Sequence, residues 1–175
     1  MPKVTKDREP RSTQSSPERA RPRNIGHAMY KRIIVAVDGS AISNRALREA
    51  VKLAKESRSQ LRIVHVVDVL NVNMDTVSAW DAYEAALSNS GEQVLKHAAA
   101  AANKAGVKAQ TRLLEVQQFN DRIADEIVRE AALWEANLLV IGTHGRRGFS
   151  RVFLGSVAES VIRIASTPLL LVHGK

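Results

Sequence analysis

Short apolar runs alternate along this chain with longer stretches in which apolar residues recur at helical spacing. The runs that predict strands lie at 33–37, 60–67, 107–115, 137–141 and 167–172. Because helical stretches separate these runs, the predicted order is βαβαβαβαβ. The pattern favours a single open parallel sheet of five strands, with right-handed crossovers and helices on both faces.

Polar residues mark where several of the predicted helices begin. Ser40 or Ser43 is expected to cap the first helix, and Asn120 or Asp121 is expected to cap the helix before the fourth strand. An alanine-rich region from about 76 to 105 predicts a long helix. The Asn-Ser-Gly sequence near its middle is a candidate break.

Length and residue usage exclude several classes of protein. A chain of 175 residues is long enough for one domain with a substantial core. The absence of cysteine excludes disulfides, thiolate metal sites and a cysteine nucleophile. No apolar run approaches the roughly 20 residues of a membrane-spanning helix, and no apolar stretch of a secretory signal follows the charged N-terminus. We therefore expect a cytoplasmic protein without a membrane partner.

The first 28 residues differ from the rest of the chain in composition. They are rich in Pro, Ser, Arg and Glu, and they hold seven basic residues against three acidic ones, half of the net charge of +8. Such a segment buries too little apolar surface to offset the entropy of ordering. We predict a disordered basic tail at 1–28 and a folded domain at 29–175. Binding of polyanions through this tail is the alternative, but a solvated tail is favoured and nucleic acid is not an expected partner.

A loop rich in glycine separates the predicted strand at 137–141 from a helix that begins near Val157. Its glycines allow a ligand to approach the backbone closely, and the N–H groups of the following helix suit an anion. Side chains that can donate hydrogen bonds lie in the same loop, namely His144, Arg146, Arg147 and Arg151. The loop is therefore interpreted as a phosphate-binding loop, although it contains neither GxxxxGK[ST] nor GxGxxG.

Asp38 follows the first predicted strand in the sequence Val-Asp-Gly-Ser. In open parallel sheets a ligand binds beyond the carboxyl ends of the strands, where the strand order reverses. If the strands at 33–37 and 137–141 are neighbours at that point, Asp38 and the glycine loop face one cleft. Asp38 would then accept hydrogen bonds from a ribose hydroxyl or hold a metal that bridges phosphates.

Residues 30–172 resemble the universal stress protein family, in its ATP-binding type. The resemblance rests on Val-Asp-Gly-Ser at 37–40, on the strand at 61–67, and on the G-x2-G-x9-G-S spacing of Gly142, Gly145, Gly155 and Ser156. It implies the strand order 3-2-1-4-5 of an adenine-nucleotide α-hydrolase-like, Rossmann-like fold. It also implies ATP as the ligand, with Mg or Mn bound through the phosphates.

The resemblance assigns roles to individual positions of this chain. It places Asp38 near the ribose or the metal, Ala36 and Val37 beside it, and a main-chain contact to adenine at Val66. The positions it implies around the phosphates are Ile141, Gly142, His144, Gly145, Arg146, Gly155, Ser156 and Val157. Trp80 or Tyr83 could cover the nucleotide, but packing in the core is favoured for both. His65, within the second predicted strand, is interpreted as a core histidine.

The predicted function is that of a nucleotide-dependent sensor or regulator in the stress response. The alternative from the enzyme class is a slow ATPase or a self-phosphorylating protein with Ser156 as acceptor. Neither a GxSxG sequence nor an HxxxH pair is present, so no catalytic residue and no protein-only metal site are predicted. In the implied strand order the apolar segment at 169–172 forms a sheet edge, which predicts a homodimer through the C-terminal strand.

Overall fold

The computed structural model describes residues 29–68, 80–116, 121–144 and 154–174, with side chains of the second helix described from residue 83. The strands are β1 (Arg32–Ala36), β2 (Gln60–Val67), β3 (Ala109–Glu115), β4 (Leu138–Gly142) and β5 (Leu169–Val172). The helices are α1 (Ala41–Ser57), α2 (Trp80–Lys104), α3 (Ile123–Leu133) and α4 (Ser156–Ile164). Strands and helices alternate throughout, as the sequence predicts.

All five strands are parallel and form one sheet in the order β3-β2-β1-β4-β5. The predicted fold is therefore confirmed. Val35 of β1 pairs with Ile63 on one side and with Val140 on the other, so β1 lies in the centre of the sheet. The chain moves outward from β1 through β2 to β3 and then returns to β4, so the strand order reverses between β1 and β4.

Side chains of the central strands alternate between two apolar layers. Ile33 and Val35 pack on the side covered by α1 and α2, whereas Ile34 packs on the side covered by α3 and α4. All three are fully buried. This two-residue period is the geometry of a strand covered on both faces, and it fixes which face each helix must cover.

The predicted caps are right for α1 and wrong for α3. Ser40 caps α1, because its hydroxyl accepts a hydrogen bond of 3.1 Å from the N–H of Ser43. Helix α3 begins after Arg122, whose N–H donates to the carboxylate of Asp125 at 2.8 Å. Asp121 instead binds the guanidinium of Arg129, and its hydrogen bond, with that of Glu126, raises the pKa of Arg129. The other predicted cap, Asn120, lies outside the described residues.

The candidate break in α2 does not occur, since the helix runs through Gly91 without interruption. A Cβ atom at position 91 would lie 2.6 Å from Leu113, 3.0 Å from His65 and 3.1 Å from Val67. Gly91 therefore allows α2 to approach β2 and β3 closely. The glycine is needed for this close packing. In a sequence, a glycine of this kind cannot be distinguished from one that breaks a helix.

An ion-pair cluster lies between β2, β3 and α3. Glu130 of α3, with its side chain 6% exposed, accepts a hydrogen bond of 2.6 Å from Arg62. Arg112 approaches the other carboxylate oxygen at 3.5 Å. The guanidinium of Arg62 also lies 4.5 Å from the centre of the Trp134 ring. The cluster joins α3 to β2 and to the edge strand β3, because Glu130 is buried beside groups of opposite charge.

Candidate functional site

A cavity of about 610 Å³ opens at the carboxyl ends of β1, β2 and β4. Its wall is completed by one side of α2 and by the first turns of α3 and α4. The volume lies within the roughly 300–1,000 Å³ of small-molecule sites. The cavity also lies where the strand order reverses, which is the place where open parallel sheets bind ligands.

Ten of the twelve residues proposed from the sequence line this cavity. They are Ala36, Val37, Asp38, Val66, Ile141, Gly142, His144, Gly155, Ser156 and Val157. The other two, Gly145 and Arg146, lie outside the described residues, as do Arg147 and Arg151. Segments that are far apart in the sequence therefore contribute to one concave surface.

Helix α4 points its N-terminus toward this cavity. Gly155 is its N-cap residue, and the N–H of Gly155 donates to the carbonyl of Thr143 at 2.8 Å. The φ of Gly155 is −67°, a backbone conformation that any residue can adopt. Backbone strain therefore does not account for a glycine there. The first N–H groups of α4 lack intrahelical acceptors, so this end of the helix suits an anion.

Asp38 lies at the end of β1, on the opposite side of the reversal from β4. Its Oδ1 accepts a hydrogen bond of 2.9 Å from the N–H of Ser40, and its own N–H donates to Oγ of Ser43 at 3.2 Å. These bonds form the turn that leads into α1 and fix the carboxylate at the cavity wall. The cavity is thus lined by the N-terminus of a helix and by a carboxylate.

Gly142, the last residue of β4, has a packing role as well as a place in the cavity wall. A Cβ atom there would lie 2.8 Å from Cγ2 of Ile42 and 3.3 Å from its carbonyl carbon. The glycine therefore allows the first turn of α1 to pack against the end of β4. This packing holds α1 and β4 together at the point where the strand order reverses.

Two aromatic side chains of the cavity wall have different environments. His65 is buried, as expected for a core histidine, and its Nδ1–H donates to the carbonyl of Val37 at 2.6 Å. Tyr83 is 40% exposed and lines the cavity, so its predicted place in the core is wrong. The sequence of a helix as long as α2 does not determine which side chains near its N-terminus face the sheet. The side chain of Trp80 is not among those described.

Several residues of the cavity wall were not predicted from the sequence. Asp68 follows β2 as Asp38 follows β1, so the rule of polar strand ends could have identified it. Thr143 is fully buried between Gly142 and His144, and no pattern singled it out. Ile123 and Ile127 of α3 make the opposite wall apolar. The cavity therefore combines polar strand ends with an apolar side.

The described residues contain no group of three or more His, Cys, Asp or Glu side chains arranged to hold a metal. A divalent cation in this cavity would need ligand atoms from a bound molecule beside Asp38 or Asp68. Within the same residues, no helix is both long and apolar enough to cross a membrane.

A comparison with protein-family models matches residues 29–173 to the universal stress protein family. The chain belongs to this family. A universal stress protein of Methanocaldococcus jannaschii is 37% identical over 148 residues, which cover 84% of each chain. The resemblance inferred from the glycine spacing and the strand ends is thus confirmed over residues 29–173.

Solved structures of the universal stress protein family share this architecture. One from Archaeoglobus fulgidus, in complex with dAMP, is 26% identical, with a TM-score of 0.62 over 82% of this chain and 98% of its own. Another universal stress protein, in complex with cAMP, is 25% identical, with a TM-score of 0.63 over 84% of this chain and 99% of its own. Both of those proteins bind adenine nucleotides.

Proposed function

We propose that this universal stress protein binds ATP in the cavity at the strand ends and acts as a nucleotide-dependent regulator in the stress response. The observation that carries the proposal is that Asp38 and the N-terminus of α4 face the same cavity. A nucleoside triphosphate matches this pair, because its ribose offers hydroxyl donors and its phosphates carry negative charge. The adenine nucleotides bound by two family members support adenine as the base.

In this arrangement the phosphates bind at the start of α4. Gly155 has no side chain to block the approach, Ser156 is an exposed residue, and the helix supplies N–H groups and the positive end of its dipole. His144 lines the same part of the wall. The adenine ring would contact the main chain at Val66 and pack against the apolar residues of α3.

Mg²⁺ or Mn²⁺ fits this site as a companion of the phosphates. Hard cations of this kind take oxygen ligands and are commonly bound by one or two carboxylates together with phosphates. Asp38 would supply the carboxylate oxygen from the protein. The cation would neutralise phosphate charge. The turn that begins at Asp38 would still hold its carboxylate near the ribose.

Asp38→Asn is expected to weaken the binding of ATP about 10- to 100-fold, with an equal loss for ADP if the carboxylate acts through the ribose alone. The amide retains an oxygen for the N–H of Ser40 but removes the charge, and a hydrogen bond to a charged group contributes roughly 1.5–3 kcal/mol. Calorimetric titrations in Mg²⁺ measure both affinities. A selective loss of ATP affinity would assign Asp38 to the phosphate-bound cation, and unchanged affinities would exclude it from the site.

We also propose that the protein forms a homodimer through β5. The N–H of Leu139 bonds to the carbonyl of Pro168, and that of Thr143 to the carbonyl of Val172. Alternate residues of a strand face opposite sides, so the N–H and C=O groups of Leu169 and Leu171 point away from β4. An apolar edge strand with such groups suits a second copy of β5, antiparallel across a two-fold axis.

Leu171→Pro is expected to yield monomers, because it removes an outward N–H while the bonds to β4 remain. Leu171→Ala is the matched control, since it truncates the same side chain but keeps the N–H, and it should remain dimeric. Light scattering after size-exclusion chromatography distinguishes the two states. A dimer of the proline variant would place the interface elsewhere.

Mass spectrometry of the nucleotide released from the purified, denatured protein tests the ligand class. ATP, or ADP derived from it, is the expected species, at up to one molecule per chain. Release of one molecule per chain of a ligand that is not an adenine nucleotide would contradict the proposed function.

A further inference from the structure

Thr143 lines the cavity beside the N-cap of α4 and is fully buried. Its N–H donates to the carbonyl of Val172 at 2.9 Å, and its carbonyl accepts the N–H of Gly155 at 2.8 Å. These bonds tie the end of β4 to β5 and to the N-cap of α4. The backbone of Thr143 is therefore fixed from both sides, and its side chain has a defined place next to His144.

Oγ1 of Thr143 lies 3.0 Å from Nδ1 of His144. A buried hydroxyl needs an acceptor for its proton, and within the described part of the chain Nδ1 is the partner of Oγ1. If Nδ1–H donated instead, the hydroxyl proton would have no acceptor among those residues. The favoured direction is thus from the Thr143 hydroxyl to Nδ1, which requires the proton of the neutral imidazole to be on Nε2.

Nε2 of His144 is buried and has no hydrogen-bond partner among the described residues. A buried N–H without an acceptor is costly, so a partner is expected when the protein is bound to its ligand. His144 lines the cavity beside the start of α4, where phosphate oxygens would supply that acceptor.

We propose that Thr143 is a positioning residue that fixes His144 as the Nε2–H tautomer, so that Nε2–H donates to a phosphate oxygen of the nucleotide. This inference rests on the proposed function. Thr143 itself does not touch the ligand through its hydroxyl. It acts by orienting the imidazole and by excluding the tautomer that would turn a lone pair toward the phosphates.

Thr143→Val removes the hydroxyl at nearly constant volume and is expected to weaken ATP binding about three- to tenfold, as for one lost neutral hydrogen bond. Thr143→Ser keeps the hydroxyl and should restore most of the affinity. Long-range ¹H–¹⁵N NMR spectra of the imidazole nitrogens in nucleotide-free protein supply a second readout. They should show His144 as the Nε2–H form in the wild type and as a mixture in Thr143→Val, with the signal assigned by its loss in His144→Gln.

A second pair of variants keeps the test valid if Thr143→Val does not fold. The side-chain amide of Gln can donate from near the position of Nε2, whereas that of Asn reaches only the position of Nδ1. His144→Gln should therefore retain more ATP affinity than His144→Asn.

The outcomes separate this inference from the proposed function. If the wild type binds ATP, three results would overturn the proposed role of Thr143 but not the proposed function. They are an unchanged affinity of Thr143→Val, a proton on Nδ1 of His144, and equal affinities of His144→Gln and His144→Asn. Absence of ATP binding by the wild type would overturn the proposed function and this inference with it.

Discussion

Gly155→Val is expected to lower the affinity for ATP by a factor of at least about 100 while the domain remains folded. The φ of −67° at this position suits valine, so the substitution imposes no backbone strain. The isopropyl group would occupy the space through which phosphates reach the first N–H groups of α4. Losing two or three hydrogen bonds to charged oxygens, at roughly 1.5–3 kcal/mol each, accounts for a loss of that size.

Ser156→Ala is the matched control for this experiment, because it removes only a hydroxyl and leaves the N–H groups accessible. It should lose much less affinity than Gly155→Val. Calorimetry measures both variants, and circular dichroism must match the wild type. An unchanged affinity in a folded Gly155→Val variant would remove the phosphate site at α4.

Glu130→Ala is expected to produce a large loss of stability, about 3 kcal/mol and on the order of 10 °C in Tm. Removal of the carboxylate leaves Arg62, whose side chain is 19% exposed, with its hydrogen bonds to Gln110 but without its carboxylate partner. A buried charge that loses its partner is costly, and this cost exceeds what the intact pair contributes.

A surface ion pair of the same chain is the control for the Glu130 experiment. Glu135 binds Arg32 with its side chain 74% exposed, so Glu135→Ala should cost at most about 1 kcal/mol. Urea denaturation gives both free energies of unfolding. If the two variants lost equal stability, the buried cluster would not hold α3 on the sheet.

The sequence predicted the fold because each element carried its own signal. Apolar β-branched runs such as that at 33–37 identify buried strands, and one of the two candidate caps, Ser40, does begin α1. The rule that ligands bind where the strand order of a parallel sheet reverses pointed to Asp38 and the glycine loop, whereas the strand order and the remaining site residues were implied by the family resemblance. Asp38 and Gly155 are distant in sequence, yet both adjoin that point.

Contacts between distant elements could not be predicted in the same way. The spacing of glycines does not reveal that Gly142 accommodates Ile42, or that Gly91 accommodates Leu113 and His65. Glycine is needed at these positions because two elements approach each other closely. That distance depends on every side chain that packs between them. Local preference was also insufficient at α3, where Asp125 reaches back to the N–H of Arg122 and replaces the expected cap.

The central claim is that ATP occupies the cavity between Asp38 and the N-terminus of α4. The most direct test is a calorimetric titration of ATP into the full chain after bound nucleotide has been removed, in the presence of Mg²⁺. We predict saturable binding of one ATP per chain, which competes with any nucleotide that co-purifies. Absence of saturable binding by the folded wild-type protein would contradict the claim.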